Sequence, residues 1–197
     1  MKRREESIPD SYFEELYAAT EDPWNFATSR YERNKYNETL AALSRPSYDR
    51  GLEIGCSIGV LTASLALRCR HLLAIDIADR ALAKARVRCR RFPHVFFRKM
   101  RVPSAWPAGN FDLMVLSEVI YYFDRNDVAW LADRVCNTIT PGGHVALVHW
   151  TGATDYPLSG DEASEQFIQA VGNRAHLLLQ HRTKKFRLES LAFDDGP

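Results

Sequence analysis

The chain has 197 residues, 46% of them hydrophobic and 26% charged, which suits one globular domain with a sizeable core and excludes long disorder. A formal net charge of +1 gives no overall pull toward nucleic acid or a membrane, and the basic run from Arg86 to Arg101 reads as a solvated helix face. Cys56, Cys69, Cys89 and Cys136 form no CxxC pair, so reduced core thiols are expected and a zinc site is not. The N-terminal "MKRREESIPDSYFEELY" has no apolar signal region, and no stretch reaches the ~18 apolar residues of a membrane span. A soluble, cytoplasmic protein without a nucleic-acid or membrane partner is expected.

Along the chain, "DSYFEELYAATEDPWNF" predicts a short helix and a Pro-Trp turn, and Ser29 with Glu32 has capping-box spacing at the start of a second helix. From residue 50 the strand-like runs are "GLEIG", "HLLAIDI", "HVFFRKM", "FDLMVLSE" and "HVALVHW". Helices are expected between them at 59–70, 79–91 and 127–139, the second capped by Asp79 and the third stopped by the "PGG" at 141–143. This alternation predicts a parallel sheet covered by helices on both faces. Past residue 174, "HLLLQHRT" and "KKFRLESLAF" leave no room for a crossover helix and must pair as an antiparallel hairpin. His71, His94, His144, His176 and His181 fall at strand starts or in that hairpin and suggest no metal constellation.

The chemistry concentrates at "LEIGCSIGVLT", residues 52–62, a strand, tight turn and helix start. A dinucleotide fingerprint would read G-x-G-x-x-G, whereas here Gly55 and Gly59 form GxxxG with Glu53 two residues before it. Glu53 would repel a pyrophosphate and suits a ligand with a cationic ammonium, such as S-adenosylmethionine (SAM). Seventeen residues past Gly59, Asp76 ends the second strand, where a carboxylate can accept both ribose hydroxyls.

On Glu53, Gly55, Ser57, Gly59 and Asp76, the chain resembles the class I SAM-dependent methyltransferases over roughly residues 48–193. The resemblance implies a Rossmann-like α/β fold, with a seven-stranded, mostly parallel sheet and a C-terminal antiparallel hairpin. It divides the chain into an N-terminal helical lid, 1–47, and a SAM-dependent domain, 48–197. Ser57 replaces the usual middle glycine; a negative φ would accommodate its Cβ, and its hydroxyl could bond the methionyl moiety. The acid that often bonds adenine is missing, so adenine is expected on Met100 and the backbone at Arg101, with Ile77 and Ser117 completing the cofactor contacts. "DPW" at 22–24, "RYERNKY" and "SEVIYYF" together resemble the nodulation methyltransferase S group, whose acceptor is the amine of a partly deacetylated chitooligosaccharide; "TDYPLSGDE" at 154–162 resembles its wider bacterial relatives. Trp24, Tyr31 and Lys35 are the lid's expected cofactor contacts.

Methyl transfer needs alignment of nucleophile, methyl and sulfur, and removal of a proton where required. Glu118 is the first candidate to bind an acceptor amine and take its proton, provided burial raises its pKa, and a capping carboxylate is the alternative. His149 is the second candidate base. Tyr121 or Tyr122 is expected against the sulfonium as a cation–π partner, the other of the pair in the core, with Tyr122, Trp150, Asp155 and Tyr156 the candidates around a small-molecule or oligosaccharide acceptor. Asp161 and Glu162 open the next helix, where acids are favoured whatever the function. A nicotinamide-dependent oxidoreductase and a non-catalytic SAM-binding module are the competing readings.

Overall fold

A computed structural model describes residues 3–194; residues 1–2 and 195–197, the outer ends of the expected lid and sheet segments, lie outside it. Two helices, α1 (Asp10–Ala19) and α2 (Arg30–Ala41), precede an alternating series: β1 (Tyr48–Ile54), α3 (Val60–Leu65), β2 (Cys69–Asp76), α4 (Asp79–Arg88) and β3 (Val95–Lys99). Then come β4 (Phe111–Ser117), a 3-10 turn at Ile120–Tyr122, α5 (Arg125–Thr138), β5 (Ile139–Trp150), α6 (Gly160–Val171), β6 (Ala175–Arg182) and β7 (Phe186–Phe193). One seven-stranded sheet runs in the order β3-β2-β1-β4-β5-β7-β6. It is parallel from β3 to β5 and antiparallel where β7 joins β5 and β6, as the alternation and the closing hairpin predict.

The central strands read as near-continuous apolar runs because both of their faces are covered. Successive side chains point to opposite faces, so Leu52, Ile54, Met114, Leu116, Val145 and Leu147 pack into one core with α5 and α6 residues. Leu72, Leu113, Val115 and Ala146 join the other core, with Tyr48, Leu61 and Leu65. The chain leaves β1 toward β2 and β3 and then returns to β4 on β1's other side. That reversal opens a crevice at the carboxyl ends of β1 and β4, where α/β sheets bind ligands. The N-terminal segment crosses this end: Ile8 N–H donates to Tyr122 O at 2.8 Å, Asp10 pairs with Arg101, and Glu14 pairs with Lys99 at 3.0 Å. No helix among the described residues is long and apolar enough to cross a membrane.

Local signals differ from expectation in four places. The helix expected at 59–70 ends at Leu65, because Cys69 is drawn into β2 opposite Tyr48. Asp79 does not cap α4; its carboxylate turns to Lys99 at 2.8 Å, while Asp76 Oδ1 accepts the Ala78 N–H at 2.9 Å. α5 stops at Thr138, before the "PGG", which lies within β5, and its N-cap is Asp124. The capping box at Ser29 is half made: Ser29 Oγ accepts the Glu32 N–H, but the Glu32 carboxylate pairs with Lys35 at 2.8 Å.

Candidate active site

In the turn after β1, three alternate residues have left-handed backbone. Gly55 stands at φ +80°, Ser57 at +49° and Gly59 at +77°, while the Gly55 and Cys56 N–H groups donate to Ile75 O at 2.9 and 3.0 Å. A Cβ on Gly59 would lie 2.9 Å from Ala85 Cα, so this glycine permits α4 to approach and supplies the N-cap of α3. It does not line the cavity, which corrects its expected role as a cofactor contact. Ser57 departs from expectation too, because its φ is positive and its hydroxyl is bonded to Tyr17 of α1.

Two carboxylates face the cavity beside this turn. Asp76 Oδ2 accepts the Ser57 N–H at 2.8 Å and Oδ1 the Ala78 N–H, and the Ile77 N–H also favours the charged carboxylate. Burial pushes its pKa up, against the pull of those N–H groups. Glu53 is only 1% exposed, and its Oε2 has no hydrogen-bond partner among the described residues. Burial, reinforced by nearby Asp76 and opposed by the Thr62 hydroxyl, pushes it up to about 8.

At the end of β4, Glu118 occupies the left-handed region at φ +56°. Its Oε2 accepts the Tyr121 hydroxyl at 2.6 Å and the Trp150 N–H at 2.9 Å, and its Oε1 is bound by Lys35 Nζ. Burial raises this carboxyl, but the Lys35 ammonium and the Tyr121 hydrogen bond outweigh it and hold the pKa below the usual range. The raised pKa that would make Glu118 a base at neutral pH is therefore absent. His149 is also corrected: it is fully buried, lies outside the cavity lining, accepts the Ile120 N–H on Nε2 and meets Ser164 Oγ through Nδ1, both at 3.2 Å. Burial pushes it down to about 4, so it is a neutral structural imidazole.

These groups border one cavity of about 310 Å³, within the range of small-molecule sites. Its lining brings together the expected Trp24, Tyr31, Lys35, Glu53, Gly55, Ser57, Asp76, Ile77, Met100, Arg101, Ser117, Glu118, Tyr121, Tyr122, Trp150 and Tyr156. Asp155 is left out: it pairs with Arg4 at 3.7 Å outside the cavity. Glu162 closes a reciprocal capping box with Ser159, and Asp161 binds Arg182 and Arg187, so both acids are structural. Tyr121 stacks on Tyr156 with centroids 5.4 Å apart, and Tyr122 meets Tyr156 at 4.7 Å, which makes a tyrosine wall beside Glu118. Phe13, Tyr17, Glu32 and Tyr36 also line the cavity and were not singled out from the sequence. The i, i+4 spacing of Phe13 and Tyr17 was the available signal, one that any amphipathic helix shares.

The family model for nodulation protein S (NodS) matches residues 12–140. The chain belongs to the nodulation protein S family. The nodulation protein S of Sinorhizobium fredii is 34% identical over 133 residues, 66% of this chain and 61% of that protein. That of Bradyrhizobium diazoefficiens is 33% identical, over 62% of this chain and 58% of its own length. The match thus spans about three-fifths of these curated NodS relatives. Among solved structures, the N-methyltransferase NodS from Bradyrhizobium japonicum, in complex with S-adenosyl-L-homocysteine (SAH), superposes with a TM-score of 0.80 over 94% of this chain and 99% of that one, at 24% identity. This is the Rossmann-like methyltransferase fold, and the NodS match covers both the glycine turn and the Glu118 strand end.

Proposed function

We propose that this NodS-family chain transfers a methyl group from SAM to an amine of a small or carbohydrate-like acceptor. The observation that carries the reading is the buried Glu53 carboxyl, whose Oε2 has no hydrogen-bond partner among the described residues and which lines one cavity with Asp76, Glu118 and the tyrosine wall. The residues fit SAM. Glu53 would pair with the α-ammonium, the Asp76 carboxylate with the ribose hydroxyls, and Met100 would lie against the adenine. A pyrophosphate would keep the buried Glu53 protonated and without an ionic partner, which disfavours a nicotinamide cofactor. When bound, SAM supplies an electrophilic methyl group.

The chain's own residues then orient the nucleophile. Glu118 receives an acceptor N–H, Tyr121 and Tyr122 shape the approach, and the N-terminal segment excludes water. With Glu118 held low and His149 outside the cavity, neither expected base is poised to take a proton, so the amine is used as its neutral fraction. An alkyl ammonium titrates near a lysine, at about 10, whereas a sugar amine is more acidic and offers more neutral nucleophile near pH 7. The N-methyltransferase description of the NodS relative supports nitrogen as the acceptor atom. The four free cysteines, three of them buried, support a reducing, cytoplasmic setting.

The test is SAH release from SAM with a panel of amines, amino sugars and matched alcohols, alongside calorimetry with SAM and NAD. Binding of SAM but not NAD, with SAH release confined to amines, is expected. SAM binding with no release from any acceptor would make the chain a binding module, and release from the alcohols would move the reaction to oxygen.

A further inference from the structure

Lys35 reaches from α2 into the cavity wall with 1% of its side chain exposed. Its ammonium sits between Glu32 Oε2, at 2.8 Å, and Glu118 Oε1. A cation so far from water stays charged only when its partners hold it. Glu118 is over-determined in turn: its backbone is in a region that side chains other than glycine seldom adopt, and three groups fix its carboxylate. Two hydrogen bonds saturate Oε2, whereas Oε1 takes one and keeps one acceptor position free.

The geometry points to Lys35 as the positioning residue of the acceptor site: from the N-terminal segment it fixes Glu118 so that Oε1 alone receives the acceptor's N–H. This rests on the amine acceptor proposed above. It also reassigns Lys35, expected from the sequence as a cofactor contact, to the acceptor end. The groups facing Glu118 are Tyr31, Glu32, Lys35 and Tyr36 from α2, Tyr121 and Tyr122 from the 3-10 turn, and His149 and Trp150 from β5. Of these only Lys35 carries a positive charge at neutral pH. Without it, burial would be opposed mainly by the Tyr121 and Trp150 hydrogen bonds, and the Glu118 carboxyl would move up.

The full chain, labelled with ¹³C-glutamate, reports Glu118 directly, the signal being assigned by its absence in Glu118→Gln. The wild-type carboxyl should titrate below 4.5, that of Lys35→Met above 4.5, and that of Lys35→Arg below it again. On an amine acceptor, Lys35→Met should lower kcat by about a hundredfold, with SAM affinity within about threefold of wild type. A midpoint that does not move in Lys35→Met overturns the assignment, as does a loss of SAM affinity with kcat intact at saturating SAM. Should Lys35→Met not fold, the wild type and Lys35→Arg decide, because a wild-type midpoint at or above 4.5 is incompatible with the proposal. The titration requires no turnover, so absence of SAH release from every amine would count against the acceptor and not against the Lys35–Glu118 arrangement.

Discussion

At Ser57 a side chain stands where the backbone suits glycine, and Tyr17 holds it there. A left-handed residue other than glycine costs about 1 kcal/mol, and a neutral hydrogen bond returns about the same. The two effects are separable in a double-mutant cycle. Tyr17→Phe should destabilise by about 1 kcal/mol in urea unfolding, and adding Ser57→Gly should recover about 1 kcal/mol. If Ser57→Gly gains nothing in the Tyr17→Phe background, the strain at this turn is absent. The bond also ties the N-terminal segment to the loop that would hold the methionyl end of SAM, so one contact serves packing and the site.

The two N-terminal helices join the rest of the chain both by apolar packing, Tyr17 with Ile58, Ala78 and Ala81 and Tyr31 with Phe186, and by single polar contacts. Tyr17 meets Ser57, Glu14 meets Lys99, Lys35 meets Glu118, and Trp24 packs edge-on to Tyr17 with centroids 5.8 Å apart. Trp24 is placed by a turn that Asp22 closes, its carboxylate accepting the Phe26 and Ala27 N–H groups at 2.8 and 2.9 Å. A ligand beneath these helices adds contacts that raise the free energy of opening them locally. On the proposal that residues 1–47 act as a lid, amide exchange over 11–40 should slow when SAH binds. Exchange there that is indifferent to saturating SAH would leave these helices as a fixed part of the domain.

Over the whole molecule, the buried carboxyl of Glu53 opposes the rest of the fold as pH rises. Its folded-state pKa, about 8, lies above the unfolded 4.5, so the folded chain holds the extra proton and stability falls between those values. His149 acts in the opposite sense between 4 and 6.5, since the unfolded chain takes up its proton first. The two oppose each other where they overlap, and above 6.5 His149 no longer offsets Glu53. From pH 6.5 to 8 wild type should therefore lose about 2 kcal/mol that Glu53→Gln keeps, seen in thermal or urea unfolding. Parallel curves for the two proteins would mean that Glu53 is already ionised. SAM should remove the same penalty, because its ammonium gives the carboxylate a partner.

What the sequence determined by itself is the part written in local pattern. The alternation of apolar runs and amphipathic stretches yields the sheet and its closing hairpin, and Glu53, the two glycines and Asp76 mark the binding turn, because strand period and turn chemistry are short-range. The NodS kinship, too, was legible in "DPW", "RYERNKY" and "SEVIYYF". Spacing does not reveal which polar atoms lose water together. Glu118 and His149 both read as strand-end bases, yet packing surrounded one with Lys35 and Tyr121 and sealed the other behind Ile120 and Ser164. Lys35 and Glu118 lie 83 residues apart in the chain, as Tyr17 and Ser57 lie 40 apart. Only the folded chain brings such pairs together, and their protonation follows from desolvation and neighbouring charge, both properties of the tertiary structure.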